Sequence, residues 1–248
     1  DQKSLINMYS NCIELQGVTM GIAERREREK EQRRIDIIDA AERVFFSKGW
    51  QAATMDDVAE AVELSKATLY LYFKNKEELY AAILVRGSEL LHDMFETAIQ
   101  THDTGIEQIR AIGRAYVAFH DQHRDYYEAM MYFETKDLDT CDDCTYAQKC
   151  DEYRDLVMGL VATGVRNGID DGTLRSDLDP MKTAVLLWAQ SSGVLRVMAT
   201  AAEKLREVHA IDPSDLMETF FEFVFHAIAA NPDAVMARMN RKLDTEQS

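Results

Sequence analysis

Proline is nearly missing from this chain: three occur in 248 residues, beside eleven glycines. Helices can therefore run almost anywhere without meeting a breaker. Long apolar runs are missing too. None approaches the roughly 20 residues that span a bilayer, so no membrane partner is expected. The stretch Asp1–Thr19 lacks the basic start and apolar centre of a secretory leader, which gives a cytoplasmic expectation. The sequence holds no glycine-rich phosphate loop, no nucleophile elbow and no HExxH spacing. His92, His102, His120, His123, His209 and His226 are scattered, each more simply read as a paired surface or core histidine. An enzyme is not expected. What is present is an ordinary globular balance, 46% hydrophobic and 29% charged, enough for a sizeable core.

The charge is uneven. The net charge is −16, yet residues 20–86 carry 12 Lys/Arg against 13 Asp/Glu, whereas residues 87–248 carry 15 against 29. The acid sits almost wholly in the second part. An acidic body repels phosphate and would confine a nucleic acid to the other end, though a plain solvated surface explains the acid equally well.

Periodicity divides the chain further. Residues 1–22 read as a weakly periodic, flexible N-terminal extension, with Met20 a natural start and Glu24–Arg34 either a solvated helix extension or a mobile arm. From Arg34 a helical stripe forms: Ile38, Ala41 and Phe45, widened by Ile37 and Val44, and stopped by Gly49. Thr54 with Asp57 has capping-box spacing for a second helix. Ser65 is an N-cap for a third, and Asn75 with Glu78 caps a long fourth. Further helices are expected at about 105–121, 124–135, 148–169, 180–207 and 213–230, with a short one after Pro232. The last two long ones begin at Asp-Pro, which suits a first turn. No convincing alternating strand occurs. The expected fold is all-α: a three-helix helix-turn-helix DNA-binding domain at 23–80, and a larger helical ligand-binding and dimerisation domain at 81–248.

Three helices between Arg34 and Phe73, two of them short, have the layout of a helix-turn-helix whose third helix enters the major groove. Leu69 and Phe73 can anchor that helix, leaving Lys66, Ala67, Thr68 and Tyr70 facing outward. Ala and Thr methyls suit a thymine methyl, and hydroxyls and Lys suit base edges or phosphates. Thr54 and Lys76 stand at helix starts, where a phosphate is favoured.

The run Thr54-Met55-Asp56-Asp57-Val58-Ala59-Glu60-Ala61-Val62-Glu63-Leu64-Ser65-Lys66-Ala67-Thr68-Leu69-Tyr70-Leu71-Tyr72-Phe73-Lys74-Asn75-Lys76-Glu77-Glu78-Leu79 resembles the TetR family of repressors. That family's pattern is T-x-x-[DE]-[IV]-A-x-x-A-G-V-S-x-G-T-[LIV]-Y-x-[YH]-F-x-x-K-[ED]-x-L, and the likeness extends from Ile35. Glu63 stands at the usual turn glycine, which implies strain, and Ala67 at a frequent glycine of the recognition helix. The resemblance implies DNA contacts at Thr54, Ser65, Lys66, Ala67, Thr68, Tyr70, Tyr72 and Lys76, with Tyr72 and Lys76 on phosphate. It implies double-stranded operator DNA as partner, with a palindromic operator released by a small-molecule effector. The segment Gly172–Pro180 looks like the family's loop before its penultimate long helix. The two helices after it then form a homodimer interface, where Phe220, Phe221, Phe223 and Phe225 exceed what one core face needs.

An effector pocket is expected between the middle helices. Tyr116, Phe119, Tyr127, Met130, Met131, Tyr153 and Trp188 are its lining, with Tyr126 and Phe133 beside them; ordinary core is the alternative for any one of them. The helix from Asn75 is the candidate lever between pocket and DNA domain.

Three of four cysteines, Cys141, Cys144 and Cys150, fall within ten residues. The C-x2-C pair has zinc-knuckle or iron–sulfur spacing, with Cys150 as third ligand and Asp142, Asp143, His120, His123 or a partner-subunit residue as fourth. No cofactor is required. A metal- or redox-responsive repressor sensing through these cysteines is the alternative function, and unligated thiols are equally open.

Overall fold

A computed structural model describes residues 2–134 and 145–232. Nine helices are named among these residues: α1 (Gln2–Lys48), α2 (Met55–Ala61), α3 (Lys66–Leu69), α4 (Lys76–Gln100), α5 (Gly105–Gln122), α6 (Arg124–Glu134), α7 (Thr145–Asp170), α8 (Pro180–His209) and α9 (Pro213–Ile228). The sole extended pairing among them is one isolated bridge between Leu174 and Ala229. The fold is all-α, as the patterning requires. No described helix is long and apolar enough to cross a membrane. The short helix expected after Pro232 lies outside the described residues.

The chain forms two compact units, Asp1–Ile83 and Leu84–Ser248, and α4 runs through the division. α1 is unbroken from Gln2, so the N-terminal extension joins the first domain helix without a turn. Its charged stretch from Arg25 is exposed and carries an Arg25–Glu29 pair at 2.8 Å.

In the first unit, Ile37, Ala41 and Phe45 of α1, Val58 of α2, and Leu69 and Phe73 after it form the core. Gly49 ends α1 at φ 77°, a left-handed position that suits glycine. The capping box is real: the Thr54 hydroxyl accepts from the Asp57 N–H at 3.2 Å, while Asp57 accepts from the Thr54 N–H at 2.8 Å. α2 closes with the Leu64 N–H on the Ala59 carbonyl and the Glu63 N–H on the Glu60 carbonyl. That is a Schellman closure, and it puts Glu63 at φ 55°, where glycine is usual.

In the second unit α5 packs on α6 and α7, α7 on α8, and α8 on α9. The loop after α7 ties the bundle together. Asp171 accepts from the Gly105 N–H at 2.7 Å, capping α5 from 66 residues away, because Thr104 makes no side-chain cap bond. The Ala230 N–H reaches the Thr173 carbonyl, and the Arg175 N–H reaches that of Ile228, each at 3.0 Å. The helix ends thus meet on one loop.

Candidate functional site

The DNA-facing candidates all belong to the first unit. α3 is short, Lys66–Leu69, and its helical turn continues through i→i−3 and i→i−4 bonds as far as Phe73. Leu69 and Phe73 are fully buried and fix the element from beneath. Ser65 caps it, its hydroxyl accepting from the Thr68 N–H at 3.1 Å and lying 2.7 Å from the Thr68 hydroxyl. Ala67 and Tyr70 are exposed, and Thr68 and Tyr72 half-buried.

Two of the candidate cations have partners within the protein. Lys66 is exposed but not free: its ammonium lies 2.8 Å from the Asp56 carboxylate, whose hydrogen bond raises the lysine's pKa. Lys76, expected on phosphate at the start of α4, is half-buried. Its ammonium donates to the Trp50 carbonyl and stands 4.3 Å from the Trp50 ring centroid. The cause is an aromatic cluster, Phe45, Trp50 and Tyr80, whose ring faces attract a cation and whose neighbouring carbonyl accepts from it. Thr54 is also committed, its hydroxyl 2.8 Å from Asp57. The Lys48 ammonium at 2.7 Å, with the Thr54 donors, holds the Asp57 carboxyl down at about 2. One large side chain that the sequence reading passed over is open: Leu71 is 80% exposed.

In the second unit a cavity of about 780 Å³ lies among α4 to α9. All seven expected lining residues, Tyr116, Phe119, Tyr127, Met130, Met131, Tyr153 and Trp188, border it. Phe133 does so as well. Rings pack edge-on around it, with Phe95–Tyr116 centroids 6.3 Å apart and Tyr116–Tyr127 5.9 Å. Polar points are few. The Tyr116 hydroxyl is 2.8 Å from that of Ser192. The Tyr153 hydroxyl donates to Glu89 at 3.1 Å, and burial together with that carboxylate raises its pKa. Sequence reasoning missed Leu84, Ile109 and Ile112 on the wall, and it assigned Phe220, Phe221 and Phe225 to dimerisation. The doubled apolar face of α9 was the available signal. Phe225 is buried, Phe220 and Phe221 are half-buried at the cavity, and Phe223 is 68% exposed and not among the lining residues.

The cysteine reading divides. Cys141 and Cys144, like Asp142 and Asp143, lie outside the described residues. Cys150 is a buried cysteine on the cavity wall. His120 sits 2.7 Å from Asp121 and edge-on to Tyr127. Among the described residues, the group that gathers possible metal ligands is His92, Asp93 and Glu96 on α4, two of them exposed carboxylates that are common without an ion.

A capped three-helix unit presenting a short third helix defines a helix-turn-helix DNA-binding protein with a separate cavity-bearing helical body. Residues 37–83 match the model of the bacterial regulatory proteins of the tetR family. The transcriptional activator FasR of Mycolicibacterium smegmatis is 35% identical over 90 residues, 36% of this chain and 41% of its own length. The transcriptional repressor KstR2 of Rhodococcus jostii is 29% identical over 153 residues, 60% of this chain and 72% of its own. The regulator FadR from Bacillus subtilis, solved in complex with stearoyl-CoA, superposes with a TM-score of 0.58 at 18% identity, covering 77% of this chain and 97% of its own. The match to FasR thus spans less than half of that relative. Residues 37–83 thus form a DNA-binding domain of the tetR type, and the chain is similar to helix-turn-helix transcriptional regulators of that family. None of these relatives supports a metal- or redox-sensing function.

Proposed function

We propose that the protein is a homodimeric repressor that leaves a palindromic operator when a long apolar acyl compound fills the second-unit cavity. The cavity carries this reading. Its size falls within the roughly 300–1,000 Å³ typical of small-molecule sites. Aromatic, aliphatic and thioether side chains dominate its wall, and Met130, Met131 and Met158 give it adaptable surface. The stearoyl-CoA complex of FadR makes a fatty acyl thioester the first class to try.

Dimerisation is supported by a second observation. α8 exposes Met181, Val185, Leu186, Trp188 and Val197, and α9 exposes Phe223. An apolar face of this kind on two adjacent helices pairs naturally with its own copy, and a two-fold dimer meets a two-fold operator. Release from the operator follows if the effector binds the DNA-incompetent arrangement more tightly than the competent one.

Enrichment of genomic fragments on the full chain supplies the operator. Titrating that complex with stearoyl-CoA, stearate and free coenzyme A then tests the effector. Release by stearoyl-CoA or stearate, with coenzyme A inert, is expected. Unchanged operator affinity with both acyl compounds overturns the acyl reading, and a reporter activated rather than silenced by the protein overturns repression.

A further inference from the structure

Three polar side chains of the recognition element, Ser65, Lys66 and Thr68, are partnered within the protein, whereas the exposed apolar Leu71 is not covered. Ser65 and Thr68 share their hydroxyls, and Lys66 holds Asp56. Leu71, by contrast, is the most exposed large hydrophobic side chain among the described residues. Ala67 lies one turn earlier and is also exposed.

An exposed leucine is ordinary on a protein surface, but its place here is not arbitrary. Leu69 and Phe73 flank it in the chain and are fully buried, so the backbone beneath Leu71 is anchored on both sides. Its N–H donates to the Thr68 carbonyl at 3.1 Å, which holds the turn closed. The side chain is therefore presented outward from a fixed frame rather than from a loose loop. Its surroundings belong to the element that a helix-turn-helix lays in the major groove. The apolar group offered there is the thymine C5-methyl.

We propose that Leu71, with Ala67, reads thymine methyl groups in the operator, so that sequence preference rests more on these apolar contacts than on hydrogen bonds from Lys66 or Thr68. This rests on the DNA-binding reading. The physical ground is preorganisation: Leu71 meets a methyl without disturbing an existing contact, whereas Lys66 and Thr68 are already oriented by Asp56 and Ser65.

The test uses the full chain and a randomised duplex pool. Once a consensus is enriched, each thymine is replaced in turn by deoxyuridine, which removes the methyl and leaves pairing intact. Binding is then measured for wild type, Leu71→Ala and Ala67→Gly, with thermal melts confirming that the exposed substitutions leave the fold unchanged. Wild type should weaken about fourfold at one or more thymines, the equivalent of about 0.8 kcal/mol per methyl-sized group buried. Leu71→Ala should bind the thymine duplex more weakly and lose the thymine–uracil difference at one of those positions. An enriched consensus that wild type binds equally well with deoxyuridine, or a thymine–uracil ratio unchanged in Leu71→Ala, overturns the proposal alone. A pool with no enrichment overturns the DNA reading as well.

Discussion

The Lys76 ammonium lies over the indole of Trp50 at 4.3 Å from the ring centroid and donates to the same residue's carbonyl. A half-buried cation held by a ring face and a carbonyl joins the start of α4 to the turn after α1. Removing it costs stability before it costs any phosphate contact. Lys76→Met should lower the stability of the first unit by about 1–3 kcal/mol, combining a cation–π contact with a charge-assisted hydrogen bond. Trp50 emission in a Trp188→Phe background reports that unit's unfolding. An unchanged midpoint with weakened DNA binding would restore Lys76 to a purely phosphate-binding role.

The capping box of α2 gives a pH signature. Asp57 titrates at about 2 in the folded chain, chiefly because Lys48 and then Thr54 hydrogen-bond its charged form. Its ordinary value is higher, near 3.8. A depressed carboxylate contributes stability that is fully present above the unfolded value and lost as pH falls through the folded one. Wild type should therefore lose this contribution between about pH 4 and pH 2, and Asp57→Asn should not. Thr54→Ala should cost about 1 kcal/mol at neutral pH. Parallel acid-unfolding curves for wild type and Asp57→Asn would contradict the assignment.

Glu63 occupies a left-handed position that a side chain resists. Glu63→Gly relieves that strain and gains about 1 kcal/mol, less what the freer unfolded chain takes back. Glu63→Val, branched at Cβ, should lose at least as much. Chemical denaturation of the three proteins checks the order Gly above Glu above Val; a glycine variant less stable than wild type would deny the strain.

Most of the helical layout was legible because it is local. Thr54 with Asp57, Ser65, Asn75 with Glu78, and Asp179 before Pro180 are signals spaced within one turn, and each is found as a cap. Glu63 betrayed its conformation by standing where a glycine was expected. The cavity lining was legible as a surplus of aromatic and thioether side chains, since a core rarely needs so many on its middle helices. What stayed hidden depends on contacts far apart in sequence. Nothing local links Asp171 to the start of α5, or Lys76 to the Trp50 carbonyl 26 residues earlier. Composition likewise could not show that Lys66 is spoken for, because Asp56 reaches it from another helix. Nor could it show that Phe223 faces out while Phe225 faces in, since period and phase are separate and only packing sets the phase.

That phase leads to the last expectation. Phe223 is 68% exposed and Leu186 59%, on α9 and α8, which pack together. A charge at either position should leave the monomer's core intact, because neither side chain contributes to it, yet it cannot be buried against an identical charge across a two-fold axis. Phe223→Glu should therefore shift the protein to monomer by light scattering, while its far-UV spectrum stays helical. Operator affinity should fall steeply, since one half-site supplies only part of the phosphate and base contacts. A cavity ligand such as stearoyl-CoA should still bind, because Phe223 does not line the cavity and the lining residue Phe221, two positions away, points to the opposite side of the helix. A Phe223→Glu protein that remains dimeric and operator-competent would place the subunit interface elsewhere. One that loses dimer and helix together would show that Phe223 belongs to the core of a single chain.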